Sequence, residues 1–101
     1  MNLKEIYEAT DKRIRALKEQ GNMIKIREEQ LYFTGVTMGI VARTDNTYDS
    51  LKSDPDLANE SLKKGIKDAE NIELSDNVIF ESMCYAKSID DLALTTKDQN
   101  E

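Results

Sequence analysis

Apolar and polar residues recur with a helical period along most of this 101-residue chain, and that pattern predicts an all-α fold. The predicted helices span about residues 3–20, 23–52, 55–71 and 76–92. The first is the best defined, because Asn2 and Glu5 fit a capping box and Gly21 supplies a stop signal. The third begins where Pro55 can occupy the first helical position. We therefore expect a bundle of three to four helices.

The second predicted helix contains the one long uncharged segment of the chain, residues 30–42. As a helix this segment is apolar on every side, so it needs neighbours all round. A continuous helix over 23–52 would be about 45 Å long, which exceeds what a compact domain of this size can cover. Either the helix breaks near Gly35 or Gly39, or its uncovered part packs against another chain.

A strand is the alternative for the same segment, which is rich in β-branched and aromatic residues. Its two glycines would each cost a helix about 1 kcal/mol relative to alanine. However, no Asn-Gly or Asp-Gly turn divides the run into a hairpin, and both flanks continue the helical spacing. A helix is the preferred prediction, and a strand is kept as the alternative.

Two glycines spaced four residues apart leave a groove where a second helix can approach closely. If the second helix packs against copies of itself, the contacting residues are expected on this side. The candidate self-association residues are Leu31, Gly35, Met38, Gly39 and Ala42. The apolar run is too short to cross a bilayer, which takes about 20 residues.

The net charge of −6 lies entirely in the second half of the chain, where six lysines face twelve acidic residues. Residues 68–91 hold seven acids and one base, Lys87. Such a field disfavours direct nucleic-acid binding and favours a basic protein partner. The candidate partner contacts are Tyr32, Arg43, Tyr48, Asp90 and Asp91.

Few residues in the sequence suggest catalysis. Histidine is absent, which removes Ser-His and Cys-His dyads and His-based metal sites. The lone cysteine, Cys84, lies in an apolar segment and is expected to be a buried structural thiol. We expect no enzyme activity, cofactor or metal. One cysteine and a charged N-terminal segment also predict a cytoplasmic protein that does not bind a membrane.

These features predict one helical domain over residues 1–94 and a disordered polar tail over 95–101. The expected function is a protein–protein interaction or assembly module, either a homo-oligomer or an adaptor, and a phage or mobile element is its expected origin. An acidic inhibitor that covers a basic, nucleic-acid-binding surface of a partner is the alternative. A protein that sequesters a small ligand is a second alternative.

Overall fold

The computed structural model describes residues 1–95, and over that range the chain is helical with no strand. In chain order its elements are α1 (Leu3–Glu19), α2 (Met23–Thr44), α3 (Tyr48–Lys52), α4 (Glu60–Asp68), a 3₁₀ turn (Ala69–Asn71) and α5 (Val78–Leu94). The all-α class is confirmed, and the strand alternative for the uncharged segment is wrong. The described chain is compact, with a radius of gyration of 13.9 Å. Except for Thr95, the predicted tail lies outside the described residues.

α1 and α2 form an antiparallel hairpin. The Asn2 side chain accepts a hydrogen bond from the Glu5 main-chain N–H, and the Glu5 carboxylate accepts one from the Asn2 N–H, which completes the predicted capping box. Gly21 ends α1 with φ 69°, a left-handed conformation that a side chain would strain. The chain then returns along α1, so that Arg13 pairs with Glu29 across the two helices at 3.0 Å.

α2 ends at Thr44, well before the predicted limit at residue 52. Asn46 has φ 65°, a left-handed conformation that asparagine tolerates better than most residues. The Asp45 carboxylate accepts the Thr47 N–H and stabilises the turn. The helix is therefore about 33 Å long rather than 45 Å, and it runs unbroken through both glycines of the uncharged segment.

α4 begins at Glu60 rather than at Pro55. Asn59 is its N-cap and accepts a hydrogen bond from a main-chain N–H in the first turn. Asp54, which directly precedes the proline, accepts the N–H of Asp56 within a turn. The proline therefore belongs to the connection between α3 and α4, because local turn bonds already satisfy its neighbours.

α5 begins at Val78, two residues later than predicted, and continues to Leu94. It packs against both α1 and α2. The Tyr85 ring stacks on Tyr7 of α1 with centroids 4.3 Å apart. Lys18, also in α1, donates a hydrogen bond to the Leu92 carbonyl. α5 thus runs parallel to α1 and antiparallel to α2.

α2 and α4 approach each other at the backbone, and glycines make this possible. A side chain at Gly35 would overlap the Leu62 carbonyl of α4, and one at Gly39 would lie 2.5 Å from Cβ of Ala69. Gly65 of α4 meets the α2 backbone from the other side. The close helix contact expected from the glycine spacing is present, and it forms within one chain.

The core lies around α2. Phe33, Val36 and Ile40 are fully buried there, and isoleucines of the other elements surround them. Two polar residues, Thr10 and Ser82, are also fully buried. Each hydroxyl donates to a carbonyl of the preceding turn of its own helix, so neither buried hydroxyl is an unpaired donor.

Candidate interaction face

One side of α2 remains open after α1, α4 and α5 have packed around it. Its residues recur at alternating spacings of three and four, as in a coiled-coil heptad. We call this set the open stripe: Ile24, Arg27, Leu31, Thr34, Met38, Val41 and Asp45. Ile24 is 77% exposed and Val41 is 37% exposed, whereas Leu31 and Met38 are half-buried. A helix stripe with this spacing suits contact with another helix.

α5 adds exposed apolar side chains beside the open stripe. Its flank toward α2 is marked by Asp90, which accepts a hydrogen bond from the Gln30 side chain. Helical geometry places Ile79 and Met83 on the same flank as Asp90, and Phe80 faces outward next to them. Phe80 is 70% exposed and Met83 is 58% exposed. Large apolar groups are seldom this exposed in a cluster without a partner.

The two helices run antiparallel, which fixes the side chains that lie at the same level. Gln30 lies opposite Asp90. Two turns along each helix, Met83 reaches the level of Thr37, and a further turn along, Ile79 reaches the level of Val41. We call the combined surface the α2–α5 face. Its apolar members are Ile24, Leu31, Met38, Val41, Ile79, Phe80 and Met83.

A shallow, open depression of about 330 Å³ lies at the α3 end of the α2–α5 face. Its lining is mostly apolar and includes Met38 and Val41 of α2 and Leu51 of α3. Beside it, the Thr37 hydroxyl is buried and has no hydrogen-bond partner among the described residues. The depression is open to solvent rather than enclosed.

The predicted self-association residues divide into two groups in the structure. Gly35, Gly39 and Ala42 are buried within the chain, and α4 occupies the glycine groove. Leu31 and Met38 belong to the open stripe. A second copy can therefore reach the latter two residues, but it cannot reach the glycines in this fold.

The aromatic and arginine candidates for partner contact lie in internal hydrogen bonds. The Tyr32 hydroxyl donates to the Asp68 carboxylate at 2.7 Å. The Tyr48 hydroxyl donates to the Ile66 carbonyl at 2.7 Å. Arg43 donates from one nitrogen to two main-chain carbonyls at the end of α4 and its 3₁₀ turn, each at 2.7 Å. These three side chains hold α2, α3 and α4 together.

Burial and internal pairing also shift several pKa values. Burial raises the pKa of Tyr32 far above its ordinary value near 10, and the hydrogen bond to Asp68 adds to the shift. Burial and the nearby Glu70 carboxylate raise the pKa of Tyr48. Lys52 bonds to Glu70 at 2.7 Å and lowers the pKa of that carboxyl. Each shift follows from contacts that stabilise the fold.

The remaining predicted contacts, Asp90 and Asp91, are exposed on α5. Asp90 pairs with Gln30, and Asp91 lies 3.3 Å from Lys87 one turn earlier. Elsewhere in the acidic segment, the side chains of Glu73, Asp76 and Glu81 are exposed near the start of α5. The acidic surface is therefore concentrated at that end of the helix.

Cys84 is exposed, which corrects the expectation of a buried thiol. It lies on the side of α5 that points away from the bundle. Within residues 1–95, no group of three acidic, cysteine or histidine side chains is arranged to hold a metal ion. Over the same range, no helix is both long enough and apolar enough to span a bilayer.

The sequence prediction did not assign Phe80, Met83 and Val41 to a binding surface. The signal was present for α2, because the three-and-four spacing of the open stripe continues from Ile24 to Asp45. For α5 the sequence shows apolar residues on several sides but does not show which side α1 and α2 cover.

A scan of protein-family models finds no match to this chain, and searches among curated proteins and solved structures find none either. The functional assignment therefore rests on the α2–α5 face.

Proposed function

We propose that this protein is a non-enzymatic interaction and assembly module that self-associates through the α2–α5 face. The observation that carries the proposal is the exposure of Phe80 and Met83 on α5, next to a helix whose open stripe leaves Val41 exposed. Covering such side chains is favourable by roughly 25 cal/mol per Å² of apolar surface. A second copy supplies the same apolar surface, so both copies gain from the contact.

The size of the face indicates weak association. It extends about 32 Å along α2, from Ile24 to Asp45, and about 20 Å across two helices, since each helix is roughly 10 Å wide. That is on the order of 640 Å² per copy, below the roughly 800 Å² per partner of a standard stable interface. We therefore expect association that depends on concentration in the micromolar range or above.

Met83→Lys tests the proposal, with Ser88→Lys as its matched control. Both residues are exposed on α5, and only Met83 lies on the α2–α5 face. A lysine at position 83 would remove about 1.5 kcal/mol of apolar burial from each copy. A two-fold dimer loses that contribution twice, so its Kd rises on the order of a hundredfold.

Light scattering after size-exclusion chromatography measures the outcome. At about 100 µM, wild-type protein and Ser88→Lys should approach twice the 11.5 kDa mass of one chain, whereas Met83→Lys stays near the monomer mass. A wild-type monomer throughout, or equal association of both lysine variants, contradicts the proposal.

The second candidate is an acidic inhibitor that covers a basic surface of another protein. It is favoured by Glu73 and Glu81, which line one depression at the start of α5. Affinity capture from source-cell extract with wild type and with Glu73→Gln/Glu81→Gln tests it. Proteins lost both at high salt and with the variant support an electrostatic partner, and equal capture by both proteins opposes it.

A further inference from the structure

The open stripe carries opposite charges at its two ends. Arg27 lies near the start of α2, Asp45 is the C-cap, and the stripe residues between them are apolar or uncharged. At 1.5 Å per residue, the two charged positions are about 27 Å apart along the helix axis. Reversing the stripe about residue 36, midway between the two charges, brings each charge onto the position of the opposite one. The stripe is therefore complementary to itself when two copies run antiparallel.

We propose that two copies associate with their α2 helices antiparallel, so that Arg27 of each copy pairs with Asp45 of the other. This inference rests on the proposed self-association and adds its orientation and register. The two-fold axis passes near residue 36. In this register Leu31 faces Val41 of the second copy, and Thr34 faces Met38. Apolar contacts occupy the middle, and ion pairs lie at both ends.

The charges favour this orientation over the parallel one. A parallel pair would place Arg27 of one copy beside Arg27 of the other, and Asp45 beside Asp45. Like charges at such positions are unfavourable. The helix dipole acts in the same direction. Asp45 lies at the negative end of its own helix, where an anion is disfavoured. In the antiparallel pair, Arg27 of the second copy approaches that end and compensates both the Asp45 carboxylate and the negative end of the helix dipole.

Arg27 is available for this role. The chain has four arginines, and in the described residues the other three are engaged: Arg13 with Glu29, Arg15 with Asp11, and Arg43 with main-chain carbonyls. Arg27 is exposed and forms no ion pair or side-chain hydrogen bond within residues 1–95. Asp45 uses its Oδ1 atom to accept from Thr47, which leaves Oδ2 for a partner.

The antiparallel pair also uses α5. By helical geometry, Met83 lies on the flank of α5 nearest the open stripe of its own chain, so it borders α2 of the second copy once it docks, and the exposed Phe80 lies farther out on the same helix. The resulting interface contains α2 and α5 from each copy, arranged as a four-helix bundle. The apolar contacts supply most of the affinity, and the terminal ion pairs select the orientation.

Charge reversal tests the register. Arg27→Asp and Asp45→Arg each replace two attractive pairs per dimer with two repulsive ones, and we expect each to raise Kd about ten- to thirtyfold. Arg27→Asp/Asp45→Arg restores opposite charges and should recover wild-type Kd within about threefold. Lys25→Asp makes the same charge change as Arg27→Asp outside the open stripe, and it should associate like wild type.

Mixing the two single variants supplies a measurement that loss of folding cannot imitate. Arg27→Asp and Asp45→Arg chains together form a heterodimer with two attractive pairs, so the mixture should sediment as a dimer when each variant alone does not. Asp45→Arg also removes the turn bond to Thr47, and circular dichroism checks that its helix content is retained. If a broken turn caused the weakening, the mixture would remain monomeric and the proposal would be overturned.

Disulfide trapping tests the orientation directly in a Cys84→Ser background. Arg27→Cys mixed with Asp45→Cys should cross-link between the two variants, whereas Arg27→Cys alone should not. Cross-linking of Arg27→Cys with itself indicates a parallel pair and overturns the register. If the charge variants associate like wild type while Met83→Lys does not, the α2–α5 face stands and only the register fails. If wild type stays monomeric at about 100 µM, the proposed function fails with it.

Discussion

The contact between α2 and α4 gives the sharpest prediction about the fold, through Gly65→Ala. Gly65 is buried in α4, and a Cβ added there would overlap the Tyr32 carbonyl. It would also lie 2.8 Å from the Val36 nitrogen and 3.0 Å from the Gly35 Cα. All three atoms belong to the backbone of a central helix, so none can rotate away. α4 must move instead.

The expected change in unfolding free energy for Gly65→Ala is the balance of opposing contributions. Alanine is the better helix former by about 1 kcal/mol, which stabilises α4 locally. Overpacking against a backbone costs about 3 kcal/mol, and a displaced α4 weakens the bond between Tyr48 and Ile66 by about 1 kcal/mol. The net loss is about 3 kcal/mol of unfolding free energy. For a domain of this size, each kcal/mol corresponds to roughly 4–8 °C in Tm.

Urea unfolding monitored by circular dichroism measures this change in unfolding free energy. Lys63→Ala, an exposed site in the same helix, should stay within about 0.5 kcal/mol of wild type. Gly21→Ala should lose about 1 kcal/mol, because it meets no neighbouring atom but must adopt a positive φ. If Gly65→Ala were as stable as wild type, the close approach of α2 and α4 would be refuted.

Three further predictions concern α2. Arg43→Met should lower the unfolding free energy by about 2–3 kcal/mol in urea titrations, because two main-chain carbonyls lose a charged donor; an unchanged value would contradict this role. Thr37→Val should raise the unfolding free energy by about 1 kcal/mol, since the buried hydroxyl has no partner in the described chain. A lower unfolding free energy would show that this hydroxyl is paired. Stability should fall as the pH rises above about 10, where unfolded tyrosine ionises but folded Tyr32 stays protonated. Tyr32→Phe should flatten that fall, and an identical pH profile would show that Tyr32 is not its source.

Helix boundaries were predictable where local chemistry sets them. The capping box at Asn2 and the glycine at 21 both act within one turn of chain, and both are found in the structure. The end of α2 was missed, although Asn46 can take the left-handed conformation that stops a helix. The continuing hydrophobic spacing beyond Thr44 obscured that signal, because α3 resumes helical geometry after a break of three residues.

The candidate site was only partly predictable. The glycine spacing correctly indicated a close helix contact, but the same spacing serves contacts within a chain and between chains. In this fold α4 takes that groove, which shifts the available surface to Leu31 and Met38. Which side of α5 is open depends on how that helix rotates against α1, and rotation is set by tertiary contacts such as Tyr7 with Tyr85.

In the proposed assembly, a second copy covers the α2–α5 face in solution. Methyl-labelled methionine NMR over a dilution series tests it most directly, because Met38 and Met83 lie on the face and Met1 lies outside it. From about 1 mM down to about 10 µM, a range that spans weak association, we expect the Met38 and Met83 methyl signals to shift together while Met1 stays fixed. Signals of Met38 and Met83 that do not change with concentration would contradict the claim.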